Sequence, residues 1–122
     1  MRLLVAVHRI LLDENVPAAL RHLIDGHEVR PAYEMGWSGL ANGELIAAAE
    51  ADGFAILVTA DRNIRYQQNL TSRRIALVVL TTNIWPIMRR SSAAIDTIPP
   101  GGYVVVMLDR PIRRRRSFRT SL

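Results

Sequence analysis

The chain contains no cysteine. This absence excludes disulfides, thiolate zinc sites and cysteine nucleophiles, and it agrees with a reducing compartment. The chain also lacks any run of about 18 apolar residues, the length that a membrane-spanning helix needs. The apolar N-terminal stretch MRLLVAV is interrupted by His8 and Arg9 before it is long enough for a signal-peptide core. We therefore expect a soluble, cytoplasmic protein that makes no membrane contact.

Lysine is also absent, so every one of the 16 basic residues is an arginine. Six of these arginines lie in residues 110–122, which contain no acid, whereas residues 1–109 hold 10 arginines against 11 acids. The net charge of +5 therefore belongs to the C-terminal stretch. Blocks of like charge are usually disordered and solvated, but they also bind RNA and acidic partners electrostatically. We expect one domain over residues 1–109, followed by a flexible arginine-rich tail over residues 110–122.

Short runs of aliphatic and β-branched residues alternate with helical stretches, which is the pattern of a parallel α/β sheet. We expect five strands, at residues 10–12, 27–32, 54–60, 73–82 and 103–108, of which the first could extend back through residues 3–7. We expect helices over residues 18–24, 43–52 and 86–98, and a loop with a short helix over residues 61–70. Asn42 is the expected N-cap of the second helix. A chain of this length can bury about two-thirds of its unfolded surface, which suffices for one core.

The acidic residues fall into two groups, according to the end of the strand that they lie near. Asp13, Glu14 and Asp61 directly follow strands, and Glu44 opens a helix that is reached from the carboxyl end of a strand. In parallel α/β sheets, the loops that leave the carboxyl ends of strands gather at one edge and form the site. We therefore expect carboxylates from three separate segments to meet there. The acids that we expect as solvated surface residues at the opposite edge are Asp25, Glu28, Glu50 and Asp52.

Carboxylates that meet at one edge repel one another, which raises their pKa values and destabilises the fold. Mg²⁺ or Mn²⁺ relieves this repulsion because hard cations prefer carboxylate oxygens, and such ions leave coordination positions for waters and a phosphate. A cation held there polarises a phosphoryl oxygen and lowers the pKa of a bound water. Metal-dependent phosphodiester hydrolysis is the chemistry that these residues predict.

Three stretches of the sequence resemble the PIN-like domains. They are ILLDENVP (residues 10–17), NGELIAAAE (residues 42–50) and LVTADRN (residues 57–63). The similarity is to a small bacterial group with LLDEN and TADRN or TADRD motifs, and it extends from the first predicted strand to the last. It is carried mainly by two motifs, which together are fairly specific.

The resemblance implies a three-layer α/β/α fold with a mostly parallel sheet of about five strands. It also implies a Mg²⁺- or Mn²⁺-dependent ribonuclease that cleaves single-stranded RNA, and service as the toxin of a type II toxin–antitoxin pair with a cognate antitoxin as partner. Matched position by position, the catalytic and metal-binding acids are Asp13, Glu44 and Asp61.

The chain departs from the PIN-like pattern at two places. Many PIN nucleases have a fourth acid shortly after the third, whereas this chain has Asn63, an amide that can bind a metal ion without adding charge. Such a cluster would hold one ion weakly, or only when an RNA phosphate completes it. The family also usually begins directly at its first strand, so residues 1–9 are interpreted as an N-terminal extension or as the product of an upstream start codon.

Arginine, aromatic and amide side chains after Asp61 are candidates for RNA contacts. Arg62 and Arg65 could each bind a phosphate through two hydrogen bonds, although either could instead neutralise the neighbouring acids. Tyr66 and Gln67 could stack on and hydrogen-bond to single-stranded bases. Tyr66 is also typical of a half-buried helix residue.

The site acids also have simpler structural interpretations. Asp13 could accept backbone N–H bonds in the turn before the first helix, the capping role that we expect for Glu14 and Asn15. Glu44 could favour the positive end of its helix. The three histidines lack metal-ligand spacing and are interpreted as structural or surface residues.

Two other functions fit parts of the pattern. A PIN-like module that binds RNA or protein without catalysis would agree with the missing fourth acid. A phospho-acceptor domain of the receiver type also has acids after strands one and three, with Thr81 or Thr82 as its strand-four hydroxyl. That architecture needs a strand-five lysine, and this chain has no lysine. A homodimer is expected only because such assemblies are common.

Overall fold

The computed structural model of the chain describes residues 7–64, 73–81 and 85–107. The strands there are β1 (Arg9–Leu12), β2 (Glu28–Pro31), β3 (Ile56–Thr59), β4 (Ala76–Leu80) and β5 (Tyr103–Val106). The helices there are α1 (Asn42–Ala51), α2 (Trp85–Thr97) and two 3-10 helices, Ala18–Leu23 and Ala32–Met35. Within these residues, no helix has the length and apolar character to cross a bilayer. The predicted tail, most of the predicted N-terminal extension and most of the predicted helix over 61–70 lie outside the described residues.

All five strands are parallel and lie in the order β2-β1-β3-β4-β5. Ile10 of β1 pairs with Val29 of β2 on one side and with Ile56 of β3 on the other. The chain therefore moves outward from β1 to β2 and then returns past β1 to β3. In doubly wound sheets of this order, the reversal opens a crevice at the carboxyl ends of β1 and β3, where ligands bind.

Apolar layers cover both faces of the sheet, because successive residues of a strand point to opposite faces. Ile10 and Leu12 pack with the first 3-10 helix and α2 on one face, whereas Leu11 packs with α1 on the other. Every residue of β3 and β4 is buried. This two-sided burial explains why these strands are unbroken apolar runs in the sequence. The predicted α/β fold with three layers is confirmed, and its sheet is entirely parallel.

The helix that we expected over residues 18–24, between β1 and β2, is present as the 3-10 helix Ala18–Leu23. Its N-cap residue is Pro17, and no side chain caps its first turn, so the capping predicted for Glu14 and Asn15 is wrong. The carbonyl of Asp13 instead accepts a hydrogen bond from the N–H of Val16 (3.0 Å), which closes the turn through the backbone. Short connectors of this kind suit 3-10 geometry.

Glu50 on α1 anchors the segment that enters β4, at the amino edge of the sheet. Its carboxylate accepts hydrogen bonds from the guanidinium of Arg73 (2.8 Å) and from the N–H groups of Arg74 (2.7 Å) and Ile75 (3.1 Å). Burial opposes the ionisation of Glu50, but these bonds and the charge of Arg73 outweigh it and lower its pKa. The expectation that Glu50 is a solvated surface residue is therefore wrong. The other acids expected at this edge are exposed: Asp25, Glu28 and Asp52.

His27 joins α2 to the amino edge of the sheet. Its Nδ1 accepts a hydrogen bond from the N–H of His8 (3.0 Å), and its Nε2 lies 2.8 Å from Oδ1 of Asp96 on α2. Because Nδ1 is an acceptor, the ring hydrogen is on Nε2 and is donated to Asp96. The rings of His8 and His27 also stack, with centroids 5.3 Å apart. These two histidines are structural and His22 is exposed, as the sequence predicts.

Candidate functional site

The carboxyl ends of β1 and β3 lie side by side at the crevice, and each is followed by an acid. Leu12 of β1 pairs with Val58 of β3. The ladder continues one residue further, because the N–H of Asp13 donates to the carbonyl of Val58 (2.9 Å). The backbone itself therefore holds Asp13 against the end of β3, where Thr59 is the last strand residue and Asp61 follows.

Asp13 is buried although it is an acidic residue: only 7% of its surface is exposed. Its Oδ1 accepts a hydrogen bond from the N–H of Glu14 (2.8 Å), and its Oδ2 accepts one from the hydroxyl of Thr59 (2.7 Å). Burial raises the pKa of Asp13; the two hydrogen bonds offset part of this rise, and the negative charges of Glu14 and Asp61 add to it. Ionised Asp13 is thus a group whose charge the fold stabilises only in part.

Thr59 connects the two acids through one hydroxyl group, and its side chain is fully buried. Its oxygen donates to Asp13 and accepts a hydrogen bond from the N–H of Asp61 (3.1 Å). Asn15 lies on the other side, where its Oδ1 accepts the N–H of Ala60 (3.0 Å) and is 3.5 Å from the Thr59 hydroxyl. Thr59 belongs to the LVTADRN stretch, but nothing in that stretch indicates that its hydroxyl links the two acids.

Asp61 is fixed by hydrogen bonds to both of its carboxylate oxygens. Its Oδ1 accepts the N–H of Asn63 (2.9 Å), and its Oδ2 accepts the side-chain amide of Asn42 (2.7 Å). Asn42 is the first residue of α1, and the N-cap position belongs to Ala41, so the predicted capping role of Asn42 is wrong. The amide instead reaches across the crevice to the acid after β3. A polar residue at a helix start is ambiguous in a sequence, because a cap and a site residue look alike there.

Glu44 lies in the first turn of α1 and is exposed. Its Oε1 accepts the N–H of Ala41 (3.1 Å), which is one half of a capping box, since alanine has no side-chain acceptor for the other half. In the described part of the chain, no three or more His, Asp or Glu side chains form a group that could hold a metal ion. Asp13 and Asp61 are thus linked through Thr59, whereas Glu44 binds the N–H of Ala41.

The residues predicted to contact RNA are described only in part. Arg62 and Asn63 follow Asp61 in an exposed turn, and Asn63 contributes its backbone N–H to the site. Arg65, Tyr66 and Gln67 lie outside the described residues. Their contacts with RNA and the metal-ligand role of Asn63 stay predictions.

The donor set of this site fits a water-rich divalent cation. The described hydrogen bonds use one acceptor position on each oxygen of Asp13 and Asp61, and a carboxylate oxygen can accept two. Mg²⁺ usually binds through one or two carboxylates, several waters and a substrate phosphate, and does not need a cage of protein ligands. Burial and the neighbouring charges of Glu14 and Asp61 disfavour the ionised form of Asp13. A bound cation would offset this cost of ionisation.

No family model, no curated protein and no solved structure matches this chain. The resemblance to PIN-like domains therefore depends on the sequence motifs alone.

Proposed function

We propose that this protein is a Mg²⁺- or Mn²⁺-dependent ribonuclease of the PIN-like type that cleaves single-stranded RNA. One observation carries the proposal: Asp13 and Asp61, which are far apart in the sequence, follow neighbouring strands at the crevice and are joined through the hydroxyl of Thr59. The crevice is where sheets of this strand order bind ligands. A buried acid and a second carboxylate beside it are the donors that a hard cation prefers.

In this proposal, Asp13 and Asp61 hold the cation, which when bound supplies Lewis acidity toward a phosphodiester. Thr59 positions Asp13, and Asn42 positions Asp61 from α1. Arg62 is exposed immediately after Asp61 and is available to bind a phosphate group. The chain thus supplies metal ligands, their supports and a cation for the substrate from one edge of the sheet.

A non-catalytic PIN-like module that binds RNA or protein is the second candidate. The observation that favours it is the position of Glu44, which caps α1 and does not join Asp13 and Asp61. A site with two carboxylates binds a cation more weakly than one with three or four, so catalysis is the first property it would lose. The receiver-type function has less support, because the chain has no lysine to hold a phosphoryl group.

Incubation of the purified protein with single-stranded RNA and Mn²⁺ or Mg²⁺ tests the proposal. We expect cleavage by the wild-type protein and none by Asp61→Asn. Asp25→Asn is the matched control, because it makes the same chemical change at an exposed residue of the opposite edge. If wild-type protein and Asp61→Asn cleave equally, the site is misplaced. If neither cleaves several different RNAs, the enzyme proposal fails and the binding module is favoured.

A further inference from the structure

The outer side of β5 is an edge of the sheet. Its inner side pairs with β4: the N–H of Leu77 donates to the carbonyl of Gly102 (2.9 Å), and that of Thr81 donates to the carbonyl of Val106 (3.2 Å). Backbone groups of successive strand residues point to opposite sides, so those of Val105 point away from β4. Among the described residues, no strand pairs with this outer side. The edge therefore presents hydrogen-bonding groups that an added strand could use.

An apolar groove of about 640 Å³ lies beside this edge, between β5 and α2. Its floor is made by valines of β5, and Ala93 and Ala94 of α2 leave room for larger side chains. Val105 and Met107 are among the few large apolar residues that are well exposed, at 39% and 59%. Exposed apolar surface along an open strand edge is an expected binding surface for another chain.

The α2 side of the groove is positively charged. Arg90 lines it and donates to the carbonyl of Met107 (3.2 Å), and Arg89 beside it is exposed. Among the described residues, those that line the groove include no acid. In the sequence, the stretch with six arginines and no acid begins four residues after Val106. A chain bound along β5 would thus meet the cations of α2.

We propose that this edge binds an extended acidic segment of a protein partner, which adds to the sheet as a sixth strand. The backbone of Val105 pairs with the backbone of the partner segment. The apolar side chains of the segment enter the groove, and its carboxylates lie near Arg89 and Arg90. RNA would use the charge but neither the strand backbone nor the apolar lining, so a peptide uses more of what the surface offers. The site at the ends of β1 and β3 has no part in this proposal.

Fluorescence anisotropy with a labelled peptide of alternating valine and glutamate tests the proposal on the full chain. The control peptide replaces glutamate with lysine. We expect the acidic peptide to bind and the basic one not to. Val105→Pro removes one outward N–H and no bond to β4, and it should weaken binding about tenfold or more. Val105→Thr keeps the N–H and the shape, so its affinity should stay within about twofold of the wild type.

A second measurement covers the case in which Val105→Pro does not fold. Amide hydrogen exchange of the wild-type protein should show that the acidic peptide protects Val105. If the peptide binds without protecting Val105, the arginines alone hold it and the proposal is overturned. It is also overturned if Val105 is already protected in a dimer that the peptide does not disrupt, because a second copy then occupies the edge. Protection of Val105 by single-stranded RNA instead of the peptide would overturn it as well.

Discussion

Replacing Thr59 with valine tests whether one hydroxyl supports both acids of the site. Valine has nearly the same shape, so the fully buried position is still filled. The variant loses the 2.7 Å hydrogen bond to Asp13 and the 3.1 Å hydrogen bond from the N–H of Asp61. A bond to a charged group contributes about 1.5–3 kcal/mol and a neutral one about 1 kcal/mol. We therefore expect a loss of about 2.5–4 kcal/mol in the free energy of unfolding near pH 8.

The loss should also depend on pH. Folding raises the pKa of Asp13 above its ordinary value. At pH values between the ordinary pKa and the raised one, the folded state therefore binds more protons than the unfolded state. Stability from this group is therefore greatest in acid and falls as the pH rises through that window. Without the Thr59 hydroxyl, the ionised carboxylate is still less stabilised, and the pKa of Asp13 rises further. The cost of the substitution should then be smaller near pH 4 than near pH 8.

Urea unfolding at several pH values between about 4 and 8 measures both effects. Thr97→Val is the matched control, because that exposed hydroxyl donates to a backbone carbonyl of its helix, that of Ala93 (3.0 Å), and not to an acid. We expect the control to change stability by about 0.5 kcal/mol or less at every pH. A cost for Thr59→Val that equals that of the control, or that is independent of pH, would refute the linkage of Asp13 and Asp61 through Thr59.

Four further substitutions test the roles of individual acidic and amide side chains. Asp13→Asn removes the buried carboxylate that a cation would bind and should abolish stabilisation by Mn²⁺ near pH 8; an intact rise of Tm on addition of Mn²⁺ would contradict this. Glu50→Gln should cost about 1–2 kcal/mol near pH 7, because the lowered pKa of Glu50 means that its contribution is present above the ordinary value and is lost as the pH falls. Denaturation near pH 3 should show a smaller cost, and an equal one would refute the role of its charge. Asn42→Asp places a third carboxylate beside Asp61 and should tighten Mn²⁺ binding about tenfold in spin-resonance titrations, whereas Glu44→Gln should leave it unchanged.

β3 and β4 could be predicted from the sequence because they are buried on both faces. However, an apolar run indicates that a stretch is buried more reliably than it indicates that the stretch is a strand. Residues 54–60, which we predicted as a strand, are an example. Phe54 is buried, but its N–H bonds to the carbonyl of Ala49 at the end of α1, and β3 begins only at Ile56. The 3-10 helix Ala32–Met35 is too short to have a periodic pattern, and sequence reasoning missed it.

The position of the site could also be predicted, because it depends on strand order and on acids that follow strands. The supports of the site could not. Thr59, Asn15 and Asn42 contact acids or backbone groups that are distant in the sequence, and no local pattern distinguishes these contacts from a strand end, a turn or a cap. Glu50 was predicted as a solvated surface residue for the same reason, since it accepts hydrogen bonds from N–H groups of the distant segment before β4.

The third member of the site illustrates how helix geometry decides between two close residues. Asn42 and Glu44 are two positions apart, and successive helical residues rotate by about 100°, so their side chains point to nearly opposite sides of α1. Only one of them can face the end of β3. Asn42 does, at 2.7 Å from Asp61, and Glu44 turns back to the N–H of Ala41. Any cation held by Asp13 and Asp61 would therefore meet an amide from α1 and not a carboxylate, and residue 42 is where a single substitution would change the charge of the site.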